Sequence, residues 1–140
     1  MKTSLLILDG DRWHRETLAA ALGYEGFQAE HTGDAASAVA LLARHHFHLA
    51  LLDPSAPATG GWKTVEQMHQ LNPELSLIVF VADEGDPRST LLTGASRIIR
   101  KPMDFFALLS AIERALSPPV NALPGHNFKH PSTPSGYIII

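Results

Sequence analysis

The stretch LLILDGDR, Leu5 to Arg12, runs four apolar residues directly into an aspartate, a glycine and a second aspartate. A short apolar run without polar alternation suits a strand buried on both faces, as in a parallel sheet. Its abrupt end delivers the Asp9 carboxylate to the edge of that sheet. Similar runs follow at Phe27 to Ala29, Leu49 to Leu52, Leu77 to Ala82 and Ile98 to Ile99. Between them the apolar residues take helical spacing. Asp11 is placed to cap a helix that buries Leu18 and Leu22 and ends at Gly23, and Asp34 to cap an Ala-rich helix reaching Arg44. Trp62 to Leu71 aligns Val65, Met68 and Leu71 and stops before Pro73. A weaker helix near Arg88 to Leu92 lies between Pro87 and Gly94, and Asp104 opens a last one with Leu108, Leu109, Ile112 and Leu116 on its apolar side.

Five β-α units of this kind predict an α/β fold: a parallel sheet covered by helices on both faces and joined by right-handed crossovers. Ligands of such sheets sit beyond the carboxyl ends of the strands. Asp9 ends the first strand, Asp53 the third and Lys101 the fifth. Three charged groups are therefore expected at one edge.

The 140 residues, 45% of them hydrophobic, suffice for one domain with a real core. A net charge of −3 provides no basic field for nucleic acid, and the absence of cysteine removes disulfide and thiolate chemistry. The longest apolar run, Leu75 to Ala82, is far short of the ~18 residues of a membrane span, and the start lacks the features of a signal peptide. The expectation is a cytoplasmic protein that touches neither membrane nor nucleic acid directly. Composition changes after Leu116: residues 117–140 hold five prolines, three serines, two glycines and no acid. The division expected is a domain over 1–116 and a Pro-rich tail over 117–140. The tail ends in the β-favouring tetrad Tyr137 to Ile140. Two readings of that tetrad stand: an added strand or plug on this or a neighbouring copy, or a truncation remnant.

Three segments, LLILDGDR, LALLDPSAPATGGW and GASRIIRKPMD, resemble in order and spacing the signatures of the response-regulator receiver domain of two-component signalling. The resemblance covers Lys2 to Leu116. It implies a flavodoxin-like sheet of order 2-1-3-4-5 with five helices. It also implies that Asp53 accepts a phosphoryl group from a histidine kinase or phosphotransfer protein, and that Lys101, followed by a Pro102 whose peptide bond is a candidate for cis, faces the phosphate. A magnesium ion would be held by Asp9, Asp53 and the carbonyl of Ser55. Receivers often dimerise or bind partners through the face of the fourth helix, fifth strand and fifth helix. Taken singly, an aspartate at a strand end can simply cap a helix, and a lysine before proline can be a solvated loop residue.

The chain departs from the family pattern at four places. Gly10 stands where the second acidic residue is usual, so magnesium binding is expected to be weakened; Asp11, one residue on, should turn toward the helix start. Val81 replaces a hydroxyl residue that grips the phosphoryl group, and Ile98 replaces the aromatic that follows it inward. Pro54, Ala56 and Gly60 alter the loop after Asp53, while Pro57 and Gly61 match. Adjacent Phe105 and Phe106 point about 100° apart and cannot both be fully buried. Either one forms an exposed apolar patch or both pack under the weak fourth helix. His45, His46 and His48 lack metal-ligand spacing, and His126 and His130 have it only within the tail. Trp13 and Trp62 flank the expected pocket and serve best as probes.

Three functions compete. The first is a phosphoaccepting receiver. The second is a degenerate receiver acting as a phosphorylation-independent interaction module, favoured by the broken relay and opposed by Asp53 and Lys101. The third, an enzyme, rests on ILDGDR resembling the D-x-D nucleophile motif of haloacid-dehalogenase-type phosphohydrolases. Against it, Arg12 and Trp13 follow the motif and the chain is short.

Overall fold

The computed structural model describes residues 2–81, 97–100 and 104–117, with the backbone alone at 81 and 97–100. Five strands, β1 (Ser4–Leu8), β2 (Gln28–Thr32), β3 (Leu49–Leu52), β4 (Ser76–Val81) and β5 (Arg97–Arg100), form one sheet of order β2-β1-β3-β4-β5. Every neighbouring pair is parallel. Four α-helices are described, α1 (Arg12–Tyr24), α2 (Ala35–Arg44), α3 (Gly61–Leu71) and α4 (Phe105–Leu116), together with a 3-10 turn over Pro57–Thr59. The fold is flavodoxin-like, as expected. The weak helix near Arg88 to Leu92 and the tail over 118–140 lie outside the described residues.

Strand periodicity divides the core in two. Leu6, Leu8, Ala50, Leu52, Leu77 and Val79 face one side, where they pack with Ala38 of α2 and Val65 and Met68 of α3. Leu5, Ile7, Leu49, Leu51, Ile78 and Phe80 face the other, with Leu18 and Leu22 of α1 and Leu108, Ala111 and Ile112 of α4. Both parities of β1 and β3 are apolar because both faces are covered. At about 1.5–3 kcal/mol for each large side chain taken out of water, these two layers dominate the stabilisation.

Three of the four described helices start on an aspartate, whereas α3 starts on Gly60 without a side-chain cap. Asp11, Asp34 and Asp104 accept from the backbone N–H of His14, Ser37 and Phe106 at the starts of α1, α2 and α4. Helix α1 runs past the expected stop at Gly23. The residue in the left-handed region is Gly26, at φ 96°, and the N–H groups of Gly26 and Phe27 close on the carbonyls of Gly23 and Leu22. Phe27 is thus spent in the helix-ending motif, and β2 starts one residue later. The strand is also more polar than expected. Its residues Gln28, Ala29, Glu30, His31 and Thr32 are exposed or half-buried, because β2 lies at the sheet edge and pairs with β1 alone.

Candidate functional site

Adjacent parallel strands bring the first two predicted residues together. Leu8 of β1 pairs with Leu52 of β3, and the next amide, that of Asp53, donates to the Leu8 carbonyl at 2.8 Å. The Asp9 amide donates the other way, to Thr32 of β2 at 3.1 Å. Neighbouring strands run about 4.8 Å apart, so the two aspartates leave the sheet side by side. Each is only 3% exposed. A carboxylate taken that far from water has to be hydrogen-bonded, and the donors define the site.

The Asp53 carboxylate is held by its own loop. Ser55 donates twice to Oδ1, from its backbone N–H at 3.0 Å and from its hydroxyl at 2.6 Å. These bonds fix the orientation of the carboxylate at the end of β3. The carboxylate of Asp9 is held from α1. Its Oδ1 accepts from the Asp11 N–H at 2.9 Å, and its Oδ2 accepts from Nδ1 of His14. Arg15 adds a bond from its guanidinium to the Asp9 carbonyl at 3.2 Å. Glycine at position 33 leaves room for this arginine, since a Cβ there would lie 2.9 Å from the guanidinium nitrogen. The His14 ring also meets Phe80 of β4 edge-on, with centroids 6.4 Å apart and planes at 76°.

Gly10 is closed off by the opposite loop. A Cβ at this position would lie 2.3 Å from the Cβ of Ala56. The 3-10 turn that brings Ala56 there is fastened by Thr59, whose hydroxyl donates to the Ala56 carbonyl at 2.6 Å. The missing second acid is therefore no simple vacancy: Ala56 takes the space.

A magnesium ion prefers six oxygen ligands in near-octahedral array, which tests the expected set of Asp9, Asp53 and the Ser55 carbonyl. Position 10 offers no carboxylate. Asp11 is committed to the helix cap, accepting from the His14 N–H at 3.1 Å. Both oxygens of Asp9 already take donors, one of them a ring nitrogen. Among the described residues no three His, Cys, Asp or Glu side chains are grouped to hold a metal. As they stand, these residues fit the ion poorly.

Lys101 and Pro102 lie outside the described residues, as do the side chains of Val81 and Ile98, so the expected third charge and the expected relay have no geometry here. Phe105 packs partly against the core, whereas Phe106 is 75% exposed. Of the three clustered histidines, His48 accepts the Ser4 N–H at 3.0 Å through Nδ1, and the rings of His46 and His48 meet edge to face at 4.9 Å. At the carboxyl end of the sheet the two donors of Ser37 hold the carboxyl of Asp34 below its ordinary range. On the outer face of α1 the Arg12 side chain does the same for Glu16.

Sequence reasoning missed His14, Arg15 and Ala56. His14 is the third residue of α1, the position whose side chain turns back toward the helix start. That signal was available from the Asp11 cap. The contact between Gly10 and Ala56 had no local signal.

Residues 5–113 match the family model described as the response regulator receiver domain. The transcriptional regulatory protein PmrA of Pectobacterium parmentieri is 34% identical over 116 residues, which are 80% of this chain and 51% of that protein. The chain spans about half or less of the length of the curated relatives it matches. Among solved structures, a CheY-like receiver domain protein of Methanospirillum hungatei has a TM-score of 0.78 at 28% identity, covering 83% of this chain and 94% of that one. The fold is shared at 20% identity with the response regulator TrrA of Thermotoga maritima, solved with Mg(2+)-BeF, at a TM-score of 0.70 over 81% of this chain and 98% of that one. With sheet order, strand-end aspartates and family model in agreement, the chain belongs to the response-regulator receiver domains of two-component signalling.

Proposed function

We propose that the chain takes a phosphoryl group on Asp53 from the phosphohistidine of a histidine kinase or phosphotransfer protein. Receiver domains are in general signalling modules that interact with such partners, and they generally bind a magnesium ion. The observation that supports the reading is the buried Asp53 carboxylate, pinned at the end of β3 by two donors of Ser55 beside a second buried aspartate. An oxygen of Asp53 attacks phosphorus, the bond to the donor nitrogen breaks, and the donor imidazole leaves while Asp53 becomes an acyl phosphate. Lys101, directly after β5, is the compact cation assigned to the transferred group. Asp9, Asp53 and the Ser55 carbonyl are what remains of the family's metal set. Lacking the carboxylate that Gly10 replaces, they are read as binding magnesium weakly.

The setting proposed is the cytoplasm. Output is expected through protein contact rather than nucleic acid, given the net charge of −3. Exposed Phe106 at the start of α4 supports assigning the face of the expected fourth helix, β5 and α4 to a second copy or a target.

A second reading, a receiver that signals without phosphorylation, is favoured by the contacts of His14 with Asp9 and of Ala56 over Gly10. Incubation with a small phosphodonor and magnesium, followed by intact mass, separates the two. One phosphoryl group on the natural chain and none on Asp53→Asn supports the first; an unmodified natural chain selects the second. Turnover of p-nitrophenyl phosphate abolished by Asp9→Asn would instead mark a phosphohydrolase.

A further inference from the structure

We propose that His14 is an internal substitute for the divalent cation: its imidazole closes Asp9 from within the chain, and the pocket opens to a metal ion when that ring is removed. The misfit between the residues and magnesium has a specific cause on this reading, beyond the loss of one acid at position 10.

Two observations carry it. Nδ1 of His14 stands on Oδ2 of Asp9, the side chain of Asp9 being 4% exposed and that of His14 33%. A carboxylate oxygen only accepts, so Nδ1 is the donor, and the ring carries its proton there. Independently, the ring is steered from the sheet side by Phe80, itself 2% exposed, through the edge-to-face contact. Held by the N-terminal turn of α1 at one end and β4 at the other, the imidazole is a positioned part of the site rather than a loose surface group.

An ion approaching Asp9 must displace this donor, and no carboxylate at position 10 repays the displacement. The Asp11 N–H and the guanidinium of Arg15 remain on Asp9 in either case, so the ring is the removable element. Metal affinity is its readout whether or not Asp53 is phosphorylated, and failure here is distinguishable from failure of the phosphoacceptor reading.

Manganese is the probe. Amide NMR signals of Asp9 to Asp11 and of Asp53 to Ser55 are followed during titration of the natural chain and of His14→Ala, with far-UV circular dichroism reporting folding. In the natural chain these signals should show no saturable broadening at micromolar manganese. His14→Ala, freed of a hydrogen bond to a charged acceptor that the ion must otherwise displace, should bind at the same amides at least about tenfold more tightly. Equal binding by both chains, or weaker binding by the variant, overturns the proposal, since the ring is then a bystander or a ligand. A second measurement needs no variant: the nitrogen-15 shifts of His14 should show a protonated, hydrogen-bonded Nδ1. An Nδ1 without a proton in the natural chain overturns it as well.

Discussion

Asp9 and Asp53 leave neighbouring strands, are equally buried and each accept hydrogen bonds through the carboxylate, yet the donors described come from different places. The Asp53 carboxylate accepts from Ser55, two residues on, within the loop that its own strand begins. The partners of Asp9 include a helix side chain, His14, which also rests on Phe80 of β4. Disturbing Ser55 changes one loop, whereas disturbing His14 changes how α1 sits on two strands. The contrast teaches that equal burial and strand-end position do not make two carboxylates alike: Ser55 reaches one from its own loop, and a helix side chain reaches the other. A group held by its own loop can be approached across that loop, while one plugged by a helix residue is closed unless the ring moves.

The largest effect expected in breaking this comparison comes from giving the Asp9 end the acid it lacks. Gly10→Asp forces a Cβ to 2.3 Å from the Cβ of Ala56. Because the turn under Ala56 is fastened by a buried Thr59, overpacking should cost about 1–3 kcal/mol, measured by urea denaturation. Adding Ala56→Gly should recover most of it. If Gly10→Asp alone is neutral, the loop after β3 yields easily, and the two strand ends are less distinct than their contacts imply.

At the Asp53 end, Ser55→Ala removes the hydroxyl bond but leaves the backbone N–H on Oδ1. A loss of about 1 kcal/mol is expected, with the amide signals of Asp9 to Asp11 unmoved. Movement of those signals would show that the two carboxylates are coupled rather than separately held.

Most of the fold was legible because the runs Leu5 to Leu8 and Leu49 to Leu52 are apolar at every position and alternate with helix-spaced segments, the pattern of a doubly covered sheet. The edge strand was not. Gln28 to Thr32 carries little apolar signal, and its place is decided by the register of Ser4 with Gln28, which no local reading contains. At the site, Asp9 and Asp53 could be read from their strand ends, and the cap at Asp11 fixed the helix phase that turns His14 inward. The packing of Ala56 on Gly10 could not, since it joins residues remote in the chain through a loop whose path glycine and proline content alone do not determine. Gly60 shows the same limit: its φ of 77° is required by the turn, and a Cβ there would meet the Thr64 hydroxyl at 2.1 Å.

The smallest effect belongs to a third carboxylate at the same edge, which sharpens the comparison. Asp34 takes two donors from one serine, as Asp53 does, but Ser37 stands three residues on and the result is a helix cap. The donors lower the Asp34 pKa, so the folded state favours the ionised form. That contribution is complete above the unfolded value of about 3.9 and disappears as pH falls from there through the lower folded value. Asp34→Asn keeps a side-chain oxygen for the cap, asparagine being as good an N-cap as aspartate, and removes the titration. The stability difference between the two chains should therefore be small and flat from neutral pH down to about pH 5, and should change only below about pH 4, as read by thermal melts across that range. A difference that changes near neutrality would mean that Asp34 senses another titrating group at the sheet edge, with His31 of β2 the first to replace.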